Sequence, residues 1–512
     1  MQKNVIEYFE AGALKDFPNR IAIVDHNRSL TFKDLASQAK RFAWHLKNLG
    51  GLIKHPVAVL LPKCVEVIVA DLGIVYSGNI YTNLDSKSPS QRIRNILDNL
   101  DPIYVVTSSE FKTFLQAIEW PTERIIIIED ILQVQDTFDD AFWIERLERV
   151  IDTDPLCIIN TSGSTGTPKG VALNHLSTID FMDWVFDTFR FDEHTRIGSL
   201  SPFYFDIYTL ELFVCLAKGA TLVLIPDGLP VFPAKLVGYL QDQKITFLFW
   251  VPSIMVNISS QGLLEKFDLS SLECIFFAGE VFPMKHLNNW RKTLHQTMFV
   301  NLYGPIEITV DCTYFILDRP FNDEDPLPIG FPCRNSDVFI LNQENRLCSP
   351  GEHGELCVRG SSLALGYWNA PDKTAAVFIQ NPLHNLYPEL IYRTGDVVYT
   401  NEYGEIMFIG RKDFQIKHMG YRIDLSEIEH QVLCIPGLSN ACVFYNKARK
   451  EITVFYEDPE GRITPALIRT ELSRVFPKYM LPTAFLPTKE LPRNPNGKID
   501  RNGLQDSLME PI

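Results

Sequence analysis

The chain has 512 residues, of which 46% are apolar, so it is long enough for more than one domain and for a core of good size. Its formal net charge of −15 argues against non-specific binding to nucleic acid and against an anionic membrane surface. Ten cysteines without a Cys-x-x-Cys pair indicate buried thiols in a reducing compartment rather than disulfides or zinc. The sequence shows no signal core and no apolar window of ~18 residues, which favours a cytoplasmic protein that does not engage a membrane.

Helical and strand patterns alternate from residue 1 to about 150. Residues 5–10 fit a helical period, and Thr31 stands where it would cap the amphipathic run that follows to Leu49. Apolar runs predict strands at 21–24, 56–61, 101–107 and 124–129. Such alternation is typical of βαβ units and a largely parallel sheet.

The alternation repeats from 150 to about 320, where strands are predicted at 221–225, 245–250 and 274–278, so we expect a second doubly wound unit. Between 328 and 410 the strands become short and are separated by Gly and Pro, which predicts a small antiparallel barrel. A polar run then leads into a final α+β segment. The predicted domains are therefore 1–411 and 412–512.

A stretch rich in glycine and hydroxyl groups lies between the apolar run 156–159 and Lys169. Glycines let backbone N–H groups approach a polyanion because no Cβ intervenes, and the hydroxyls and the lysine add donors and a cation. The stretch differs from a P-loop because Pro168 and Gly170 flank Lys169, so no hydroxyl follows the lysine to bind magnesium. The residues predicted to bind phosphate are Thr161, Ser162, Gly163, Ser164, Thr165 and Gly166.

The string Ser-Gly-Ser-Thr-Gly-Thr-Pro-Lys-Gly at 162–170 resembles the phosphate signature of the adenylate-forming superfamily, which includes acyl-CoA synthetases, luciferases and nonribosomal peptide adenylation enzymes. The resemblance implies an α/β fold with a large lobe of two doubly wound subdomains plus a small β-barrel, and a small mobile α+β domain. It also implies ATP and Mg²⁺ as cofactors and a catalytic role for Lys169. This chemistry brings a carboxylate against the α-phosphate of ATP, so the site needs cations and donors that hold two anions together.

Residues 301–309 resemble the second nucleotide motif of that superfamily. The resemblance implies that Tyr303, beside Gly304, stacks on adenine and that Glu307 is a catalytic residue that ligates magnesium. The family usually has threonine before this glutamate, whereas this chain has Ile306. We therefore expect Thr309 or a backbone group to replace the missing hydroxyl.

Two further strings complete the predicted nucleotide site. Residues 277–280 resemble the turn beside adenine, which gives Gly279 and Glu280 a role in binding the base. Within residues 392–396, Asp396 resembles the family residue that takes both ribose hydroxyls, a bidentate geometry suited to a carboxylate. The resemblance adds a ribose contact from Arg411.

The C-terminal segment carries the residues that the resemblance links to domain rotation. Asp413 matches the hinge, where a short polar side chain tolerates a large backbone change. Lys498 matches the lysine that bridges the substrate carboxylate and the α-phosphate during adenylation. After rotation, Gly420 and Tyr421 would stand beside the tunnel for the incoming thiol.

The substrate is predicted from Asp206, which resembles the aspartate of the amino-acid branch that pairs with the substrate ammonium. Asp206 could also cap the helix that follows, and the two roles are compatible. Branches that activate fatty or aryl acids need no buried anion there, because an unpaired buried charge is costly. An amino acid is therefore the favoured substrate.

The predicted pocket is mostly apolar, and two phenylalanines narrow it, so we expect a compact side chain such as that of proline. Asp311 departs from this pattern: it either meets a second amine of the substrate or points to a wall or to solvent and is inert. Besides Lys498, the predicted lining is Asp206, Ile207, Leu210, Phe249, Phe276, Ala278, Leu302, Val310 and Asp311.

The predicted protein is a free-standing enzyme that forms aminoacyl-AMP and pyrophosphate, then loads the phosphopantetheine thiol of a separate carrier protein, since no carrier attachment motif follows within this sequence. Three alternatives stay open at this point: an acyl-CoA ligase, a D-alanine–carrier protein ligase, and a nucleotide-binding scaffold without catalysis.

Overall fold

The structure, a computed structural model, describes residues 2–26, 28–134, 140–161, 168–412, 415–436, 438, 440–446, 449–458, 461–492 and 504. The chain falls into two compact units. The large unit consists of 1–86, 100–160 and 170–412, and the small unit of 87–99, 161–169 and 413–512. The domain boundary predicted at 411/412 stays a prediction.

Within the described residues, the largest sheet of the large unit has nine strands. Its six central strands are parallel, and antiparallel strands lie at both edges. In spatial order the strands are Phe331–Pro332, Thr313–Ile316, Met298–Tyr303, Cys274–Phe277, Phe247–Trp250, Arg196–Ser199, Thr221–Leu224, Ile21–Asp25 and Arg28–Thr31.

Alternation along these strands feeds two separate cores. Phe249 and Phe276 belong to one hydrophobic cluster, whereas their chain neighbours Trp250 and Phe277 belong to a second. A parallel sheet that is covered on both faces requires apolar side chains at every position, because successive side chains point to opposite faces. This explains the continuous apolar runs in the sequence.

A second sheet has seven strands in the described part of the chain. Four of its neighbouring pairs are parallel, and the short strand Gly366–Tyr367 runs antiparallel to its neighbour. In spatial order the strands are Gly366–Tyr367, Lys169–Asn174, Pro155–Thr161, Ile80–Asn83, Pro56–Leu60, Tyr104–Thr107 and Ile125–Ile127.

The third sheet is antiparallel, and its long strand Leu390–Thr400 pairs with three others. Among the described residues it forms a half-barrel, where the sequence predicted a small barrel. Its strands are Ser336–Leu341, Gly354–Gly360, Leu390–Thr400, Phe378–Gln380 and Ile406–Arg411.

Helices cover the two larger sheets. The long helix Phe32–Asn48 begins as predicted, because Thr31 Oγ1 accepts a hydrogen bond from Asp34 N at 3.1 Å. The other α-helices of the large unit are Ile6–Tyr8 and Leu14–Asp16, which flank the π-helical turn Phe9–Ala13, followed by Val65–Tyr76, Ser109–Ala117, Ile128–Gln133, Ala141–Glu148, His175–Thr188, Ile207–Lys218, Pro233–Asp242, Pro252–Ser260, Met284–Thr293 and Pro371–Val377. Short 3₁₀ turns are Thr122–Arg124, Leu229–Val231 and Ile306–Ile308.

The small unit combines short sheets with helices, as an α+β segment should. Residues 87–99 form most of the helix Ser90–Leu100. Beyond 413 the described elements are a hairpin of Gln415–His418 and Tyr421–Asp424, the strands Ala441–Asn446, Glu451–Glu457 and Ala484–Thr488, the helices Leu425–Leu433 and Pro465–Ser473, and the 3₁₀ turn Lys478–Met480.

The α/β fold class is confirmed, but two details of the prediction are wrong. The strands Ile21–Asp25 and Arg28–Thr31 join the nine-stranded sheet, and Pro155–Thr161 joins the seven-stranded sheet, so the doubly wound units do not divide at residue 150. The strand predicted at 124–129 covers only Ile125–Ile127, because the helix Ile128–Gln133 begins directly after it.

The cysteine pattern and the helix lengths complete the fold. The structure describes all ten cysteines, and none of them forms a disulfide; most are buried or half-buried, and Cys434 is exposed. Among the helices that the structure describes, none has the length and apolar character needed to cross a bilayer.

Candidate active site

Most of the predicted site residues of the large unit follow the carboxyl ends of neighbouring parallel strands. Asp206 follows Arg196–Ser199, the Ala278–Glu280 turn follows Cys274–Phe277, and the loop from Gly304 to Asp311 follows Met298–Tyr303. Parallel strands end at one edge of a sheet, so these segments gather there. This is the edge at which open α/β sheets bind their ligands.

A three-residue network joins the nine-stranded sheet to the half-barrel. The Tyr303 hydroxyl donates a hydrogen bond to Asp396 Oδ2, and Arg411 Nη1 donates to Asp396 Oδ1 at 2.8 Å. Asp396 is 4% exposed and Tyr303 6%. Burial, followed by the charge of Asp396, raises the pKa of Tyr303 well above its usual value, so its hydroxyl remains a donor.

The string 392–396 holds Asp396 through its own side chains. Thr394 Oγ1 donates to Leu356 O at 2.8 Å and accepts from Asp396 N at 3.0 Å. The Glu355 carboxylate accepts from Arg393 Nε at 2.7 Å and from Lys412 Nζ at 3.1 Å. Burial alone would raise the pKa of Glu355, but these two cations outweigh it, and the pKa lies below its usual value.

Glu307 sits in a buried turn, 1% exposed, and the Tyr367 hydroxyl donates to its Oε1 at 2.7 Å. Its backbone oxygen accepts from Ala364 N at 2.9 Å. Among the described residues, no group of three or more His, Cys, Asp or Glu side chains could hold a metal. One buried carboxylate suits Mg²⁺ in particular, because Mg²⁺ usually takes one or two carboxylates and completes its shell with water and substrate phosphates.

The loop between Gly304 and Asp311 is tightly folded and strained. A Cβ on Gly304 would lie 2.4 Å from Asp311 Cα, so only glycine fits there. Thr309 and Val310 adopt φ values of 59° and 65°, which β-branched residues rarely do. Strain of this kind persists where the surroundings over-determine the backbone, typically at functional sites.

The replacement expected for the missing threonine is also in this loop. Ile306 is buried at 7% exposure, within the 3₁₀ turn Ile306–Ile308. The Thr309 hydroxyl is buried and has no hydrogen-bond partner within the described part of the chain. It is therefore not committed to a protein group, which is compatible with the predicted role.

The predicted pocket lining has one wall that is fully described. Phe276 lies 4.6 Å from Phe189, 5.0 Å from Phe247 and 5.9 Å from Phe249, measured between ring centroids. These rings form a closed apolar floor on one face of the nine-stranded sheet. The other apolar members are equally buried: Ile207 8%, Leu210 0%, Ala278 7%, Leu302 2% and Val310 2% exposed.

The structure excludes one alternative role for each of the two acidic residues in the predicted pocket lining. The structure describes the whole helix Ile207–Lys218, and the Asp206 side chain accepts no capping hydrogen bond from it. The capping role considered for Asp206 is therefore wrong, and its carboxylate is not used in that way. Asp311 is 2% exposed, so the alternative in which it points to solvent is also wrong.

The turn predicted to lie beside adenine has a visible structural role. Gly279 has φ of 92°, which favours glycine, and Glu280 Oε2 accepts a hydrogen bond from Ser253 N at 2.9 Å. Glu280 thus caps the helix Pro252–Ser260, which also begins at this edge of the sheet. Base binding by this turn stays a prediction.

The remaining predicted residues lie in the small unit or outside the described residues. Thr161 ends one strand, Lys169 begins the next, and Thr161 Oγ1 lies 3.5 Å from Lys169 O. The predicted residues that fall outside the described ranges are Ser162, Gly163, Ser164, Thr165, Gly166, Asp413 and Lys498. Their roles stay predictions.

Sequence reasoning missed the groups that support the site. Tyr367 and Glu355 were not predicted, although each holds a predicted residue or its loop in place. The only local signal for Tyr367 is an aromatic pair that follows Gly366. Its partner lies 60 residues away, so only the tertiary structure shows the contact.

Comparison with known proteins decides the family. The family model described as "AMP-binding enzyme" matches residues 9–368. The chain belongs to this family of AMP-binding enzymes, and the resemblance to the adenylate-forming superfamily is confirmed. Members of the family use ATP.

Relatives and solved structures agree with this assignment. Tyrocidine synthase 1 of Brevibacillus parabrevis is 31% identical over 98% of this chain and 45% of its own length. The chain spans less than half the length of the first curated relatives that it matches. The Vibrio cholerae adenylation domain AlmE, in complex with glycyl-adenosine-5'-phosphate, matches with a TM-score of 0.83, 22% identity and coverage of 99% and 98% of the two chains. An artificially fused adenylation–PCP di-domain NRPS from Klebsiella oxytoca, NpsA-ThdA, matches with a TM-score of 0.81, 23% identity and coverage of 94% and 93%.

Proposed function

We propose that this enzyme activates an amino acid with ATP to form aminoacyl-AMP and pyrophosphate, and then transfers the aminoacyl group to the phosphopantetheine thiol of a separate carrier protein. In the first step a carboxylate oxygen of the amino acid attacks the α-phosphorus, and pyrophosphate leaves with the electron pair of the broken P–O bond. In the second step the thiol releases its proton to solvent and its sulfur attacks the acyl carbon, and AMP leaves with the electron pair of the broken C–O bond. No oxidant or reductant is needed.

The observation that carries the proposal is the position of Asp206. It follows the strand Arg196–Ser199 and precedes the helix Ile207–Lys218, at the edge of the nine-stranded sheet where α/β sheets bind ligands, and its side chain does not cap that helix. A carboxylate at this edge can pair with the ammonium group of an amino acid, whereas a fatty or aryl acid offers no cation for it.

The nucleotide side of the proposal uses the described network. Asp396 would take the ribose hydroxyls, with Arg411 and Tyr303 fixing the direction of its two oxygens. Glu307 would hold Mg²⁺, oriented by Tyr367. Bound there, Mg²⁺ spreads the phosphate charge, which lowers the repulsion between the two reacting anions. Lys498 and Lys169 are proposed as the further cations.

The phenylalanine rings of the predicted pocket favour a substrate with a compact side chain such as that of proline. Phe249 and Phe276 are fully buried, and their rings pack edge to face, so they leave the floor closed to a long apolar group. AlmE, whose complex contains a glycyl adenylate, is a structural neighbour with a small amino acid.

A second candidate is an amino acid with a further amine, and the burial of Asp311 favours it. Asp311 is 2% exposed and belongs to the predicted pocket lining, where a second amine of the substrate would add a charged hydrogen-bond donor to its carboxylate. The D-alanine–carrier protein ligase and the acyl-CoA ligase remain alternatives that the same experiment separates.

The carrier is proposed as a separate protein with a phosphopantetheine arm. The artificial fusion of an adenylation unit to a PCP in NpsA-ThdA supports a carrier partner for this fold. A reducing, cytoplasmic location is proposed from the ten cysteines, none of which is in a disulfide.

Pyrophosphate exchange into ATP, with a panel of carboxylic acids, tests the function. The panel holds the common L-amino acids, D-alanine, diamino acids, and fatty and aryl acids. We expect exchange with one compact amino acid or with one diamino acid. Exchange with D-alanine alone would select the D-alanine–carrier protein ligase. Exchange with fatty or aryl acids alone would overturn the proposal. Exchange with none of them would leave a nucleotide-binding scaffold.

Asp206→Ala is the decisive variant, and Asp242→Ala is its control on the exposed end of another helix. Because Asp206 makes no capping bond, the variant should avoid the ~1 kcal/mol cost of losing a cap. We expect loss of amino-acid exchange of at least about a hundredfold in Asp206→Ala and almost none in Asp242→Ala. Unchanged exchange would remove Asp206 from the substrate site.

A further inference from the structure

A single carboxylate oxygen ties down both ends of the segment that carries Asp206. Asn83 Nδ2 donates to Asp71 Oδ2 at 2.9 Å and also to Phe203 O at 3.2 Å. The Tyr208 hydroxyl donates to the same Asp71 Oδ2 at 3.0 Å. Phe203 lies three residues before Asp206 and Tyr208 two residues after it, so the contacts bracket the aspartate.

The segment between these contacts is a compact turn. Phe205 N donates to Pro202 O at 3.1 Å, and Thr209 N donates to Asp206 O at 2.9 Å. The rings of Phe203 and Tyr208 lie 4.3 Å apart and close the turn from its two ends. A turn that is short and held at both ends transmits the position of its anchors to the residue at its centre. We call the group formed by Asp71, Asn83 and Tyr208 the Asp71 clamp.

The buried polar groups of the Asp71 clamp contribute less to the stability of the fold than apolar groups would. Asp71 is 1% exposed, and burial raises the pKa of its carboxyl to about 7 against the opposing hydrogen bonds from Asn83 and Tyr208. Within the described residues, Asp71 Oδ1, Asn83 Oδ1 and the Tyr81 hydroxyl have no hydrogen-bond partner. Each buried unsatisfied group destabilises the fold, so apolar side chains of similar size would stabilise this interior better. A role other than stability explains why polar groups occupy it.

The polar groups around the clamp connect it to the Asp206 carboxylate. The charges of both Asp71 and Asp206 act on the Cys157 thiol, which faces the Tyr81 hydroxyl. Tyr81 in turn faces Asp71 and Thr209, although it forms no hydrogen bond of ordinary length. Burial raises the pKa of Cys157 to about 12 and those of Tyr81 and Tyr208 well above their usual values, so these groups stay neutral near pH 7.

We propose that Asp71 is a positioning residue for substrate recognition, which acts through Asn83 and Tyr208 to fix the turn that presents Asp206 to the substrate ammonium. The inference rests on the proposed function, because it takes Asp206 as the residue that binds the substrate ammonium. It assigns Asp71 no role in nucleotide binding. The amino-acid affinity of the enzyme, and not its ATP affinity, therefore depends on the clamp.

Kinetics of pyrophosphate exchange test the clamp in three variants. Asp71→Leu removes both accepted hydrogen bonds, and we expect the amino-acid KM to rise at least about tenfold while the ATP KM stays within about twofold. Tyr208→Phe keeps the ring and removes one donor, so we expect a rise of about threefold. Asp71→Asn keeps an oxygen acceptor for both donors but loses the charge, so we expect a rise of about threefold relative to the ionised wild type at pH 8.

Ser77→Ala is the matched control. Ser77 follows the same helix as Asp71, is 1% exposed, and its hydroxyl donates to Ile74 O at 2.6 Å, outside the clamp. It should lower the melting temperature without changing the amino-acid KM. If Asp71→Leu changes both KM values and kcat together, or changes only the melting temperature, the positioning role is wrong.

A pH profile gives an independent readout if Asp71→Leu does not fold. The ionised Asp71 carboxylate accepts both hydrogen bonds, and its protonation as the pH falls through about 7 weakens them. We therefore expect the wild-type amino-acid KM to rise below pH 7 and the profile of Asp71→Asn to be flat there; identical profiles would overturn the clamp. Failure of the proposed function is distinguishable, because the wild type itself would then use no amino acid at any pH.

Discussion

The Tyr367 hydroxyl donates a hydrogen bond of 2.7 Å to Glu307 Oε1, and both side chains are buried. Partners of this kind fix the direction of a metal-binding carboxylate, and their loss typically costs tenfold or more in metal affinity. We therefore expect Tyr367→Phe to raise the Mg²⁺ concentration for half-maximal exchange about tenfold while the amino-acid KM is unchanged.

Tyr392→Phe is the control for this change. The rings of Tyr392 and Tyr367 approach the same Phe378 ring, at 5.0 and 6.3 Å. A magnesium titration of exchange should separate the two variants. An unchanged magnesium requirement in Tyr367→Phe would show that this bond does not orient a metal ligand.

Asp396→Asn should weaken ATP binding selectively. The substitution keeps the shape of the side chain but removes the charge that Arg411 meets at 2.8 Å and one of the two acceptor oxygens. We expect the ATP KM to rise at least about tenfold with little change in the amino-acid KM.

The control is Asp337→Asn, an exposed aspartate of the same half-barrel that pairs with Arg359 at 2.7 Å. Its ion pair lies on the surface and should contribute almost nothing measurable. Equal effects of the two variants on the ATP KM would argue against nucleotide binding by Asp396.

Lys498→Ala should separate the two half-reactions. This lysine lies outside the described residues, so the prediction rests on the family resemblance. We expect pyrophosphate exchange to fall at least about a thousandfold, because an oriented cation stabilises the charge that gathers on the phosphorus oxygens. Loading of a carrier from preformed aminoacyl-AMP should be largely retained, and an equal loss of both steps would contradict a small domain that changes its role between them.

Because His175 is buried, we expect the free energy of unfolding of the protein to fall in mild acid. Burial lowers the pKa of His175 to about 4, and its Nδ1 accepts a hydrogen bond from Val5 N at 3.4 Å. Between pH 6.5 and 4 the unfolded chain therefore binds a proton that the folded chain does not. The stabilising contribution is complete above pH 6.5 and is lost as the pH falls through 4, by about 3 kcal/mol in total.

Urea unfolding of His175→Gln and of the wild type at pH 7.5 and 4.5 measures how much His175 contributes to the pH dependence of stability. The difference between the two pH values should be smaller in the variant. His194→Gln, with a side chain that is 77% exposed, is the control and should behave as the wild type does. Identical pH dependence in His175→Gln would assign the acid sensitivity to other groups.

The local features of this protein were predictable because they depend on neighbouring residues. Side-chain periodicity and turn chemistry predict the cap at Thr31 and the buried strands at 56–60 and 247–250. They also predict the change to short antiparallel strands after residue 328. The nucleotide motifs were also visible, and the family that they indicated is confirmed. For Ser162–Thr167, Asp413 and Lys498 the sequence remains the basis of the predictions.

The tertiary structure decided which distant segments meet. Apolar residues at 21–24 predict a strand but not that this strand joins the nine-stranded sheet, because several sheets offer equivalent hydrogen-bonding edges. The contacts Tyr367–Glu307 and Asp71–Tyr208 join residues 60 and 137 positions apart. A polar side chain is satisfied by whichever partner the packing brings within about 3 Å, and no local pattern encodes that partner.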